Sequence, residues 1–337
     1  MLEKSTRKLI TLGMVVALTV YFAVRSNIFL SWGNISNMLR GASYIGIMTA
    51  GLAIVIIGGG NDLSTGAVVG LSCMVLSRLL AAYVATPVAI LLTWLVGAGC
   101  GLINGYLITR YKMPDFIGTL ATMSVFTGAT FLVAFRENGS IITKSVTSKA
   151  FLALGGNLGG VYYSVLVWIV VALVIHLLMS KTRFGIYTYA LGTNATAADL
   201  SGVNVSKIKC IGYIICGFCS AVAGSMLLAY QGAAALTTGA GYTFDAICAA
   251  VIGGIALTGG TGDVAGATLG CIFMQVLQNG LYKINLSSEW LTIFVGAMII
   301  IMSVVNTVYI RANDRRIQRQ RLLADEKEEH PYGYAGS

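Results

Sequence analysis

The side chains that usually carry catalysis are scarce in this chain and poorly placed for it. There are 2 histidines, His176 in an apolar run and His330 in a charged stretch, so no Ser/His/Asp arrangement can be assembled. No Gly is followed by Lys, which excludes a phosphate-binding loop and ATP hydrolysis by that route. Cys216-Gly217-Phe218-Cys219 has the spacing of a redox or metal motif, but it lies in an apolar helix, where Cys behaves as a small hydrophobe. The 7 cysteines are scattered through apolar segments and imply no disulfide framework. No catalytic residue, cofactor or metal site is expected. The polar residues that remain of interest border apolar runs: Asn61, Asp62, Ser64 and Asp245. An ionisable group at membrane depth costs a few kcal/mol unless it is paired or hydrated, so such residues point to a substrate pathway. Asp62 also suits a second role, as a helix cap ahead of Ser64.

These residues need a membrane to make sense. Of 337 residues, 56% are hydrophobic and 10% charged, and 41 are Gly against 3 Pro; the mean hydropathy is +0.80. A soluble domain carries about 25% charged residues. The composition excludes a soluble enzyme, a disordered chain and a disulfide scaffold, and leaves an all-α polytopic membrane protein. With a span needing about 20 apolar residues, ten are expected: 9–24, 41–60, 64–84, 88–109, 116–135, 161–179, 210–230, 246–257, 264–282 and 290–310. The first has the basic start of a signal peptide but no small-residue cleavage site, so it reads as a retained helix. Arg78 inside the third span suits snorkelling to the surface.

The net charge of +9 calls for no nucleic acid. The basic residues fall in four clusters: Lys4 to Lys8, Arg110 with Lys112, Lys181 to Lys209, and Arg311 to Arg321. With an even number of spans, all four lie on one side, and the positive-inside rule makes that side cytoplasmic, both termini included. The expected organisation is a permease domain over 1–310, holding a long inside loop at about 182–209, and a charged cytoplasmic tail over 311–337.

Two segments break the apolar pattern with glycines, one in each half: 58–66, Gly58-Gly59-Gly60-Asn61-Asp62-Leu63-Ser64-Thr65-Gly66, and 253–263, Gly253 to Asp263. Glycines weaken helices and free backbone polar groups that cannot face lipid. Paired interruptions in two pseudo-repeated halves point to a transport pathway, although tight turns at the membrane surface give the same pattern. In the long inside loop, Asn194 can cap a short helix over 195–201 and Gly202 can end it.

These motifs together resemble the permease subunit of ribose-type bacterial ABC importers. The resemblance rests on Gly60-Asn61-Asp62-Leu63-Ser64-Thr65-Gly66, on Thr182-Arg183-Phe184-Gly185 through Gly192-Thr193-Asn194, on Leu200-Ser201-Gly202-Val203-Asn204-Val205, and on Tyr242-Thr243-Phe244-Asp245 followed by the Gly253 to Gly262 run. It covers nearly the whole chain. Two positions depart from the family's pattern: Asn61 stands where Ile is usual, and Ala195-Thr196-Ala197 where Glu-Ala-Ala is common.

The resemblance implies a multi-pass subunit of the inner membrane that imports a monosaccharide, ribose-like, without an ATPase site of its own. It implies three partners: a cytoplasmic ABC ATPase, a second permease subunit, identical or related, and a periplasmic or lipid-anchored sugar-binding protein. The segment holding Leu191, Gly192, Asn194, Ala198, Leu200, Gly202 and Asn204 would be the coupling element against the ATPase. Related permeases carry nucleosides or furanose-like signals, which keeps that cargo open. The rival class is a stand-alone secondary transporter, against which the sparse charges and the long inside loop argue.

Overall fold

Apolar runs of this length have one stable form in lipid, the helix, because it satisfies its own backbone. The computed structural model describes residues 2–137, 140–286, 289–298, 300–301 and 304. They form twelve α-helices and a further helix over Glu289–Met298. The chain divides into two compact units, Met1–Val295 and Gly296–Ser337. The expected tail, 311–337, lies outside the described residues.

Seven helices are long and apolar enough to cross a membrane: α1 (Leu2–Arg25), α2 (Trp32–Ile57), α4 (Thr86–Tyr111), α5 (Asp115–Val133), α7 (Tyr163–Lys181), α10 (Val205–Gln231) and α12 (Val264–Lys283). Three apolar helices are shorter: α3 (Thr65–Ala81), α11 (Tyr242–Ile252) and Glu289–Met298. At about 1.5 Å per residue, the 11 residues of α11 reach only part of the way across a hydrocarbon core of about 30 Å.

In unit 1, α2 and α10 are the buried centre. Of α2's best 18-residue window 89% is buried, and of α10's 78%. α10 packs against α2, α3 and α4, and α12 against α1, α2 and α11. The outer helices expose apolar side chains such as Leu91, Leu95, Val125, Leu132, Ile169 and Val170, as a lipid-facing surface requires. Small residues let the central helices close. A Cβ on Gly101 would stand 2.1 Å from the Tyr213 carbonyl, and one on Gly217 would stand 2.2 Å from that of Gly97, so α4 and α10 meet backbone to backbone.

Helix boundaries depart from the apolar runs where polar residues lie inside a helix. α2 begins at Trp32 rather than at 41, with Ser31 as its cap. Its first turns hold Asn34, whose amide donates to Asn279 Oδ1 on α12 at 2.9 Å. Polar side chains there read as a loop because the partner is 245 residues away. The 136–162 connection contains two small hairpins, β1 (Arg136–Glu137) with β2 (Ser140–Ile141) and β3 (Asn157–Leu158) with β4 (Val161–Tyr162), and between them the single turn α6 (Lys149–Leu152). The 182–209 connection, expected to hold one short helix, holds two, α8 (Arg183–Thr193) and α9 (Ala195–Leu200). Arg78 is exposed in the last turn of α3, its guanidinium 4.8 Å from the Phe135 ring centroid.

Candidate functional site

α1 begins at the lower end of unit 1. Three glycine-rich breaks interrupt the helices: 58–64 between α2 and α3, 232–241 between α10 and α11, and 253–263 between α11 and α12. Sequence patterning found the first and third. It missed the second, where Gly232, Gly239 and Gly241 all take positive φ. The signal available was the Gly-Ala-Gly run closing a stretch without helical periodicity.

The first break is held by side chains. The Asn61 carbonyl accepts from the Tyr213 hydroxyl at 3.0 Å, and the Leu63 N–H donates to Thr119 Oγ1 at 3.1 Å. Asp62 is 1% exposed and Ser64 fully buried. Asp62 Oδ1 accepts from the Ser64 N–H at 2.9 Å and from its hydroxyl at 2.7 Å, just ahead of α3. Asn104 of α4 donates to Ser64 Oγ at 2.8 Å and accepts from the Thr122 hydroxyl of α5 at 2.6 Å. Asp62 and Ser64 therefore tie the break to α4 and α5 from inside the subunit. Asn61 is half-buried with Asp62 behind it. Asn104, Thr119 and Thr122 are the members of this network that sequence reasoning missed.

Asp245 lies elsewhere, half-buried in the first turn of α11. Its neighbour Thr243, also in the first turn of α11, holds that helix to the first break and the start of α3. The Thr243 hydroxyl donates to the Leu63 carbonyl at 3.2 Å, and its oxygen accepts from the Gly66 N–H at 2.8 Å. The first break, α3 and α11 are thus locked at one side chain.

At the lower end the first and third breaks meet on α8. The Gly260 N–H donates to the Ile57 carbonyl at 2.8 Å. Gly192 sits on that contact: a Cβ there would lie 1.8 Å from Ile57 O and 2.4 Å from Gly260 N. Gly59 and Gly259 face it as well. The Tyr189 hydroxyl, one turn earlier on α8, donates to the Gly262 carbonyl at 2.8 Å. Burial, with the Asp263 carboxylate adding to it, pushes the Tyr189 phenol up to about 12, so it remains a donor at physiological pH. Asp263 caps α12 through the Gly266 N–H at 2.7 Å and pairs with Lys8 of α1 at 2.8 Å.

The seven residues expected at the coupling segment divide by role. Leu191 and Ala198 are buried and seat the segment, together with Gly192. Asn194 accepts from the Ala197 N–H at 2.9 Å and caps α9; Asn204 accepts from the Lys207 N–H at 2.9 Å and caps α10. Gly202 ends α9 with φ +82°. Leu200 is 86% exposed, an apolar side chain presented away from the bundle.

A continuous break-and-seat arrangement of this kind invites comparison with known permeases. The family model described as "Branched-chain amino acid transport system / permease component" matches residues 34–303. The chain belongs to this permease family. Among curated relatives, the ribose import permease protein RbsC of Bacillus subtilis (strain 168) is 36% identical over 291 residues, covering 86% of this chain and 89% of the relative. RbsC of Escherichia coli (strain K12) is 35% identical over 299 residues, 86% and 91% of the two chains. The fructose import permease protein FrcC of Rhizobium meliloti is 30% identical over 295 residues, 86% and 81%. No solved structure gives a significant match. The permease is thus an all-α, multi-pass membrane protein, and the matched region takes in the first two breaks, the third break and the whole of α8 and α9.

Proposed function

We propose that the chain is the membrane subunit of an ATP-driven importer of a monosaccharide. The observation that carries this reading is similarity to ribose and fructose import permeases along 86% of the chain. A galactose/methyl galactoside import permease of Haemophilus influenzae, 31% identical over 315 residues, extends the same cargo class. The family description speaks of branched-chain amino acids, but an amino acid is a zwitterion, and the broken segments bring forward few charged groups to meet one. Ribose is the first cargo to test.

The subunit works with a cytoplasmic ATPase, a second permease and a binding protein that delivers the sugar, since it has no P-loop of its own. Both termini and the lower end face the cytoplasm in this reading, supported by Lys8, Lys181, Lys207 and Lys209 at that end. The fold then counts about ten membrane helices, with α3, α11 and Glu289–Met298 added to the seven long ones. The two halves are read as pseudo-repeats. In each, a long buried helix (α2, 26 residues; α10, 27 residues) ends in glycines, passes through a break, and leads into a short apolar helix.

α9 meets the ATPase with Leu200 outward, and α8 carries its motion to the breaks through Gly192 and Tyr189. Asn61 and Asp245 are assigned to the pathway wall. Asp62 and Ser64 fix the shape of that wall from behind. The test is uptake of labelled ribose into vesicles holding this permease, with and without the ATPase and binding protein. Accumulation only in the full set supports the reading, and accumulation by the permease alone overturns it.

A further inference from the structure

A cavity of about 220 Å³ lies between α3, α5 and the second break. Gly66 and Gly70 on α3 let the break lie against the helix: Cβ atoms there would stand 2.6 Å from the Gly239 carbonyl and 2.5 Å from that of Thr238. At 1.5 Å per residue, these glycines are about 12–18 Å along α3 from Arg78, near its upper end. Irregular backbone at that depth is tolerated where it is buried in protein or lines a water-filled space.

The lining has the chemistry of a neutral polyol site. No charged residue borders it. Thr127 of α5 is exposed to it and makes no hydrogen bond among the described residues. Thr238 accepts from the Ala235 N–H at 3.1 Å, which leaves its hydroxyl hydrogen to give. Thr130 donates to the Phe126 carbonyl at 2.9 Å, which leaves its oxygen to accept. Phe244, 49% exposed, supplies a flat apolar face. A sugar ring presents hydroxyls at its rim and C–H groups on its faces, and this lining offers a partner for each. Thr243, also on the wall, spends its hydroxyl on holding α11 to the first break and α3.

We infer that this cavity is a way-station for the transported sugar, with Thr127 and Thr238 hydrogen-bonding its hydroxyls and Phe244 lying against its ring. The inference rests on the import reading above and names a binding site within it. The volume holds one small polyol. A few neutral hydrogen bonds give weak binding, which suits a site that must release its ligand inward. Sequence reasoning passed over it because threonines in an apolar helix carry no motif.

The test uses two variants. Thr127→Cys in membranes holding the full complex is treated with a small thiol reagent, with and without saturating ribose, fructose or galactose. Of the described native cysteines, only Cys210 is not fully buried, and wild type supplies that background. Slowing of Thr127→Cys modification by one of the sugars supports the site. Because protection is read on the permease itself, it stands whether or not uptake proves to be ATP-driven. Thr127→Trp fills the cavity and is expected to lower uptake of that sugar about tenfold or more, equivalent to roughly 1.4 kcal/mol, while the ATPase still co-purifies. A modification rate that none of the sugars changes overturns the proposal, as does wild-type uptake by Thr127→Trp.

Discussion

At the scale of single residues, Asp62 illustrates how a polar side chain in a membrane protein divides between touching cargo and shaping the path. Its carboxylate is satisfied by Ser64 and lies beside Asn104. Asp62→Ala leaves the buried Ser64 N–H and hydroxyl donors without their acceptor, at a cost of about 2–3 kcal/mol. The expected result is a lower unfolding temperature in detergent for Asp62→Ala and a smaller drop for Asp62→Asn, which keeps an acceptor. An unchanged Asp62→Ala transition would remove the network from any structural role. The sequence made Asp62 visible because a charge interrupts an apolar run. It hid Asn104, Thr119 and Thr122, whose roles depend on α4 and α5 crossing the break, an arrangement that no local pattern encodes.

Among elements, α8 and α9 are two helices where the sequence showed one short helix in a long connection, and the proposed coupling gives each its own task. The short cap at Asn194 and the stop at Gly202 were legible, since capping residues act locally. α8 was not, because its 11 residues mix Arg183, Gly185 and Gly192 with a moderate apolar content and bury only Gly185, Thr188 and Leu191. The two glycines should respond differently to substitution. Gly202→Ala meets open space and a positive φ, costing about 1 kcal/mol and leaving uptake close to wild type. Gly192→Ala forces a Cβ into the Ile57 carbonyl, so α8 must lift from the breaks. Uptake should fall at least several-fold while ATPase still co-purifies. Leu200→Asp should do the reverse at the first step and weaken co-purification, leaving the permease's own melting transition in place. If Gly192→Ala transports like wild type, α8 does not carry motion to the breaks.

The whole molecule was legible to the extent that hydropathy is. Nearly every apolar run became a helix in chain order, because lipid permits little else. What hydropathy could not give is depth: α11, with 11 residues, reaches only part of the way across, and the break that separates α10 from α11 re-enters the bundle against α3. The orientation argument belongs to this scale. The proposed orientation puts residue 337 in the cytoplasm, so a reporter that functions only in the periplasm, fused after Ser337, is expected to stay silent. An active fusion would require an odd number of crossings and would overturn the cytoplasmic placement of the C-terminus.

The caps on either side of α9 have a consequence for partner choice. Asn194 closes the helix at one end, Gly202 releases the chain at the other, and Asn204 starts α10 independently. The six residues of α9 are therefore a cassette whose outward side chains, Thr196, Asp199 and Leu200, bear no part in the fold beneath, while Ala198 alone anchors it. Transplanting those three outward side chains from a relative should redirect which motor protein this permease recruits, and leave the cargo it admits untouched.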